Sequence, residues 1–287
     1  MTITETTTGV YQAEDGAKIF FRHYNARNEK AGLVLAHGLG EHSGRYQNVV
    51  APLLAAGISV WVPDHRGHGQ SDGQRGHVDA FDQYLSDLKG VMTLAQESLP
   101  GVCPFFLMGH SMGGLIALRF AQEFPELPAG VIVSSPALGL TVKVPAIKSG
   151  LGKIMSTLWP RLSLGNELDP TKISHDTDVV AAYIDDPLVH DRVSARWFTE
   201  FLAAMATAHR LAPQLKAPLL MQLAGDDHMA ASDLARSFFD SLSVEDKTFV
   251  CYDDLYHEIY NAPATQRTRV INDLIVWLTP RIEKKAS

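Results

Sequence analysis

The stretch Phe105-Phe106-Leu107-Met108-Gly109-His110-Ser111-Met112-Gly113-Gly114 constrains this chain more than any other. A short apolar run ends in Gly-x-Ser-x-Gly, and a helical pattern of Leu115, Ile116, Leu118 and Phe120 begins at once. Strand, one sharp turn, then helix is the order that exposes a serine on strained backbone at the end of a buried strand. Gly109 and Gly113 flank the serine because side chains there would clash with the turn. A helix beginning beneath it supplies free N–H groups and the positive end of a dipole. The competing reading is a plain strand-to-helix turn in which Ser111 only caps the helix. The position near mid-chain, between strand-like runs, favours a nucleophile.

On either side strands alternate with helices. Residues 9–24 read as a hairpin turning at Asp15-Gly16, and Gly32 to Ala36 is a continuous apolar run typical of a strand buried on both faces. A helix through Val49 to Leu54, a strand over Ile58 to Val62 and a helix over Phe81 to Leu99 follow. After the elbow come strands at Gly130 to Ser135, Pro218 to Ala224 and Thr248 to Tyr252, with helices over Ser232 to Leu242 and Ala264 to Leu278. This spacing predicts an α/β fold with a mostly parallel, doubly wound sheet. From Ala137 to Leu211 the alternation stops, and only helix-like segments divided by Pro145, Pro160, Pro170 and Pro187 are expected. Residues 1–136 and 212–287 therefore read as one core, with 137–211 inserted as a helical cap at the carboxyl edge of the sheet, where such sheets bind ligands.

A serine hydroxyl needs a histidine to take its proton and a carboxylate to hold that imidazole in one tautomer. Of twelve histidines, only His228 and His257 lie beyond the last plausible acid loop. His257 follows the Thr248–Tyr252 strand and is the expected base, whereas His228 would share a turn with its own acid. The acid should follow the strand ending at Ala224, which leaves Asp226 and Asp227; spacing favours Asp227, with Asp253 and Asp254 as weaker rivals. An oxyanion hole needs two backbone N–H donors, expected from Met112, after the nucleophile, and from Leu39, after His37-Gly38. His65 and His68 lack a third or fourth ligand at metal-binding spacing, so no metal site is expected. Asp64 to Ser71 reads instead as a loop supporting the elbow, with Arg66 bonded to backbone. No Gly-rich phosphate cradle is present, and no cofactor is expected.

Bulk properties narrow the class further. A chain of 287 residues, 46% hydrophobic and 20% charged, suits one sizeable domain with an insertion. The net charge of -7 argues against nucleic acid as a partner. Cys103 and Cys251 each adjoin an apolar run and read as reduced core thiols. Met1 to Thr6 has neither basic nor apolar leader character, and a cytoplasmic protein is expected. In the cap, Val144, Ile147, Leu151, Ile154, Met155 and Leu158 recur at helical spacing beside Lys143, Lys148, Lys153 and Arg161. Gly150 and Gly152 weaken that helix; the segment reads either as an apolar stripe packed on the core with its lysines solvated, or as a lid whose apolar face meets a lipid surface transiently.

Four stretches together resemble a known family: His37-Gly-Leu-Gly-Glu-His-Ser-Gly-Arg-Tyr46, Asp64-His-Arg-Gly-His-Gly-Gln-Ser71, Gly109-His-Ser-Met-Gly-Gly114 and the turn Asp227-His228-Met229. In this order, and with the cap phrase Asp186-Pro-Leu-Val-His190, the chain is similar to the monoacylglycerol lipases and related bacterial lysophospholipase-type serine α/β hydrolases. The elbow is shared by many α/β hydrolases; the stretch from His37 is far more specific. The resemblance implies hydrolysis of monoacylglycerol-type esters beneath a mobile helical cap, with Ser111, Asp227 and His257 as the catalytic set and Leu39 and Met112 as oxyanion donors. It also implies a subsite for the alcohol portion of the ester that includes Glu41 and Arg45. Mammalian members carry a second histidine three residues after the catalytic one; here that substrate-side position is Tyr260, a departure that bears on glycerol preference. Lysophospholipase or broad carboxylesterase activity is the neighbouring alternative, and a ligand-sensing protein that inherited the pocket is the non-enzyme one.

Overall fold

The structure, a computed structural model, describes residues 6–99, 101, 103–141, 152 and 154–283. Its centre is an eight-stranded sheet: β1 (Thr6–Gln12), β2 (Lys18–Tyr24), β3 (Ala31–Ala36), β4 (Ile58–Pro63), β5 (Phe105–His110), β6 (Gly130–Ser134), β9 (Leu219–Ala224) and β10 (Lys247–Tyr252), in the order β1-β2-β4-β3-β5-β6-β9-β10. The β1–β2 hairpin joins antiparallel to β4, and all pairs from β4 to β10 are parallel. Every residue of β3, β4, β5, β6 and β9 is buried. That is why these strands read as almost wholly apolar runs: helices cover both faces, and the few polar side chains there, Ser59 and Gln222 among them, are hydrogen-bonded.

Two layers do the covering. One packs α2 (Asp82–Ser98) and α3 (Met112–Glu123), through Leu88, Val91, Leu115 and Phe120, against Val34, Leu107 and Val133. The other packs α1 (Gln47–Ala55) and α7 (Ala264–Glu283), through Val50, Leu53, Leu274 and Trp277, against Leu33, Phe106 and Ile132. Fully burying side chains of this size is worth about 1.5–3 kcal/mol each. Neither Cys103 nor Cys251 is in a disulfide, and both are half-buried against the first layer.

Between β6 and β9 the chain leaves the sheet and forms a cap. Residues 154–158 are helical, followed by α4 (Thr177–Asp185) and α5 (Ala195–Arg210); α6 (Ser232–Asp240) lies after β9 in the core. The cap is not wholly helical: β7 (Ser163–Gly165) pairs antiparallel with β8 (Arg192–Ser194), a ribbon that the expectation of helices alone does not contain. Strands of three residues are too short for alternation to register, and this pair forms across the whole of α4. Val144, Ile147, Leu151, Lys143, Lys148 and Lys153, expected on the lid helix, lie outside the described residues.

Strand order also decides where a ligand can sit. The chain winds from β3 outward to β4, then crosses back to β5 on the other side of β3. The crevice between the carboxyl ends of β3 and β5 is the switch point of the sheet. His37-Gly38-Leu39 emerges from one strand there, and Ser111 from the other.

Candidate active site

Ser111 has φ 53° and ψ −116°, a left-handed conformation that a residue with a Cβ adopts only when its surroundings impose it. The neighbouring strands impose it here. Ser111 N–H donates to Ser134 O at 3.0 Å, and Ser111 O accepts from Leu115 N at 3.1 Å and Ala137 N at 3.0 Å. A Cβ at Gly113 would collide with the carbonyl oxygens of Ala36 and His37, and one at Gly109 with that of Gly113. The elbow can therefore pack against β3 only with glycine at both positions. Met112 opens α3, so no preceding turn accepts its N–H.

The acid candidates separate by environment. Asp227 Oδ2 accepts from His257 Nδ1 at 2.8 Å, and its Oδ1 accepts from Met229 N at 2.8 Å and Ala230 N at 2.9 Å. Burial alone would raise the Asp227 carboxyl; the His257 charge, its hydrogen bond and the two amides outweigh that and hold it below the usual range. Asp226 instead points to the surface, 3.0 Å from His228. His257 is buried, which would lower its pKa, but Asp227, then Glu258 and Glu41, hold it above its ordinary value. With Asp227 on Nδ1, the neutral tautomer leaves Nε2 as an acceptor. His110 lies with its ring centroid 4.8 Å from that of His257, and burial, then the His257 charge, pushes it down to about 3.

The loop after β3 is gripped from both sides. His37 Nδ1 donates to Gly38 O at 2.7 Å, while its Nε2 accepts from His65 N at 2.9 Å. Gly38 N donates to Glu41 Oε1 at 2.6 Å. Because C=O and N–H point opposite ways in a trans peptide, fixing Gly38 O aims Leu39 N–H. Asp64 joins this loop to the next, accepting from Ser43 N and Gln70 N, both at 2.7 Å. Arg66, expected on backbone, is instead held by carboxylates, at 2.6 and 2.7 Å from Asp87 and 2.7 Å from Asp15. A buried guanidinium fork matches paired carboxylate oxygens better than lone carbonyls. His65 and His68 are buried and pushed well below the ordinary histidine range by desolvation. Among the described residues, no group of three or more His, Cys, Asp or Glu is placed to hold a metal ion.

The substrate-side candidates fare differently. Glu41 is buried and lines the cavity, but its carboxylate already accepts from Gly38 N, from Tyr46 OH at 2.6 Å and from Arg45 Nη1 at 2.8 Å. Arg45 does not reach the cavity: it is bound to Glu41 and to both oxygens of Glu258, with its guanidinium 4.6 Å from the Tyr183 ring centroid. Tyr260 is also displaced from the expected subsite. Its hydroxyl donates to Gln222 inside the sheet, because its backbone sits in a short helical turn, Ile259–Asn261, that directs the ring into the core. Tyr183, His190 and Glu258 line the cavity without having been singled out in the sequence. The one available signal was adjacency: Glu258 follows His257, and His190 ends the cap phrase. Given these bonds, Glu41→Ala is expected to slow a monoacylglycerol and a simple p-nitrophenyl ester alike, by about tenfold or more, since it frees Gly38 next to Leu39. Initial rates on the two substrates check this; selective loss on the monoacylglycerol would restore a direct glycerol contact.

Ser111, His257, Leu39 and Glu41 line a cavity of about 1070 Å³, which Met155, Trp197 and Phe201 of the cap wall on the other side. A family model described as serine aminopeptidase, S33, matches residues 27–264. The chain belongs to this family of α/β hydrolases. It is thus a serine hydrolase of the esterase and lipase kind, resembling the monoacylglycerol lipases. It is 31% identical over 269 residues to the monoacylglycerol lipase of Mycolicibacterium smegmatis, covering 93% of this chain and 95% of that one. It superposes on the crystal structure of the Paleococcus ferrophilus monoacylglycerol lipase with a TM-score of 0.84 at 35% identity, covering 92% and 99% of the two chains. An abhydrolase domain-containing protein of Dictyostelium discoideum is 36% identical over 258 residues, and this chain spans 27% of its length. No helix of the described residues is long and apolar enough to cross a membrane.

Proposed function

We propose that this hydrolase cleaves monoacylglycerols, or similar single-chain lipid esters, to fatty acid and alcohol through an acyl-enzyme on Ser111. The observation that carries the reading is the buried Asp227–His257 pair, 2.8 Å apart, whose His257 lines the same apolar cavity as the strained Ser111. Ser111 Oγ attacks the ester carbonyl as His257 Nε2 takes its proton, and Asp227 stabilises the imidazolium. Leu39 and Met112 N–H receive the oxyanion, and His257 then protonates the departing alcohol. Water repeats the sequence on the acyl-enzyme. A cavity of about 1070 Å³ is at the upper end of small-molecule sites and accommodates an acyl chain. Labelling with a fluorophosphonate probe, followed by rates on monoacylglycerols, lysophospholipids and short p-nitrophenyl esters, tests the proposal. No labelling at Ser111 would instead support the sensor reading.

One observation favours lysophospholipids as a second substrate class. Lys172 is the one Lys or Arg among the described residues that line the cavity, and its Nζ lies 3.5 Å from Tyr256 OH. An anionic head group would find a cation there. Lys172→Glu should then depress lysophospholipid cleavage while sparing monoacylglycerols.

Residues 137–211 act in this reading as a lid that touches lipid. It exposes Leu158 (60%) and Trp159 (59%), apolar side chains that belong neither to a core nor to the cavity lining. Leu158→Asp with Trp159→Asp is expected to abolish vesicle sedimentation and to slow long-chain substrates, leaving soluble short esters unchanged. Unaltered sedimentation would reduce the segment to an ordinary packed cap.

A further inference from the structure

Glu258 is a buried carboxylate to which the reaction above gives no part. It follows His257 directly, is 6% exposed and lines the cavity. Its Oε1 accepts from Arg45 Nη1 at 2.7 Å; its Oε2 accepts from Arg45 Nη2 at 2.9 Å and from Asn261 Nδ2 at 2.8 Å. Arg45 Nη1 also donates to Glu41 Oε2 at 2.8 Å, and Glu41 Oε1 takes Gly38 N at 2.6 Å. An unbroken chain of hydrogen bonds thus runs from the residue after the proposed base to the peptide before the proposed oxyanion donor. Stability alone is a weak reason for such a cluster, because desolvating buried ions costs about as much as their attraction returns. What a bidentate guanidinium supplies is fixed distance and fixed plane between two loops.

We propose that Glu258 is a positioning residue that, through Arg45 and Glu41, holds the His257 loop and the Leu39 loop in one register, so that base and oxyanion donor meet the same ester carbon. This rests on Ser111 and His257 acting as proposed above. A second consequence follows from charge. Burial would raise Glu258, but the Arg45 charge and fork hold it down at about 2, so it is ionised wherever the enzyme works. His257 faces Asp227 from the loop after β9, His110 from β5, Glu41 from the loop after β3, and Glu258 on its own loop, with Arg45 as the neighbouring cation. His110 is neutral near pH 7; the three carboxylates favour the imidazolium. Neutralising Glu258 therefore lowers the His257 pKa, and the acidic limb of the rate profile, which reports that pKa, moves to lower pH.

The test compares Glu258→Gln and Arg45→Lys with wild type on a short soluble ester across pH. Glu258→Gln should lower kcat about tenfold or more, leave KM nearly unchanged, and move the acidic limb of kcat/KM down by about one unit. Arg45→Lys keeps the charge but loses the fork; it should lower kcat comparably with the acidic limb unmoved. A folded Glu258→Gln enzyme with wild-type kcat and profile overturns the proposal, as does Arg45→Lys at wild-type kcat. Should Glu258→Gln fail to fold, Arg45→Lys and the rate of fluorophosphonate labelling at Ser111 decide alone: slowed labelling supports the role, wild-type labelling overturns it. Ser111→Ala separates this idea from its foundation. Turnover surviving in Ser111→Ala sinks the catalytic reading itself, whereas an inert Ser111→Ala beside unaffected Glu258→Gln and Arg45→Lys removes only the positioning role.

Discussion

Ser111→Ala is expected to lower turnover by about four or more powers of ten, with little change in thermal stability. The hydroxyl is the only group on the elbow able to form the acyl bond, and the turn is held by backbone contacts to β6 and α3 that alanine keeps. His257→Ala should lose a similar amount. Asp227→Asn should be severe, because an amide cannot charge-stabilise the imidazolium and can favour the wrong tautomer. Asp226→Asn should be mild, since that carboxylate lies at the surface beside His228. Steady-state rates on one soluble ester, with melting curves as a check on folding, decide the matter. If the two aspartates exchanged ranks, Asp227 would lose its role.

His37→Phe is expected to lower kcat by about ten to a hundredfold on every ester, short or long, with KM less affected. A planar aromatic ring is kept, slightly larger than the imidazole, but both nitrogen contacts go: the bond to Gly38 O at 2.7 Å and the acceptor for His65 N at 2.9 Å. Removing an oxyanion donor outright costs about 10²–10³ in kcat, and loosening the peptide that aims it should cost part of that. Burial pushes His37 down to about 3, so it remains a neutral ring that donates at Nδ1 and accepts at Nε2 throughout the working range. Its loss should accordingly leave the acidic limb of the rate profile in place, unlike neutralisation of Glu258. A substrate-selective loss, or a shifted limb, would remove His37 from the oxyanion loop's support.

The parts of this protein that were legible in its sequence are those where one physical demand acts on neighbouring residues. β3, β5, β6 and β9 are buried on both faces and so are almost wholly apolar, the buried Gln222 of β9 being satisfied by Tyr252, Tyr260 and Val270 O. The elbow must have glycines on both sides of the serine because backbone oxygens of β3 and α3 occupy the space of a Cβ. The turn after β9 and the loop after β10 follow from strand alternation, which is why spacing alone points to Asp227 and His257 as the acid and base candidates. The β7–β8 ribbon was not legible, because each strand is three residues long and its partner is almost thirty residues away.

Tertiary structure alone decided what the charged side chains do. Glu41 and Arg45 lie in a stretch whose family resemblance implies a substrate subsite, yet Arg45 bonds to Glu258, 213 residues on, and is not among the residues that line the cavity. Tyr260 occupies a position next to the site in sequence but turns its hydroxyl to Gln222 in the sheet. Arg66 reaches Asp87 and Asp15 rather than backbone. The reason is common to all of them. Apolar burial and backbone strain leave a local pattern, since each residue answers to its own position in a strand or turn. A buried charge answers to whichever opposite charge the fold brings within 3 Å, and that partner is chosen only when distant loops close over the same crevice.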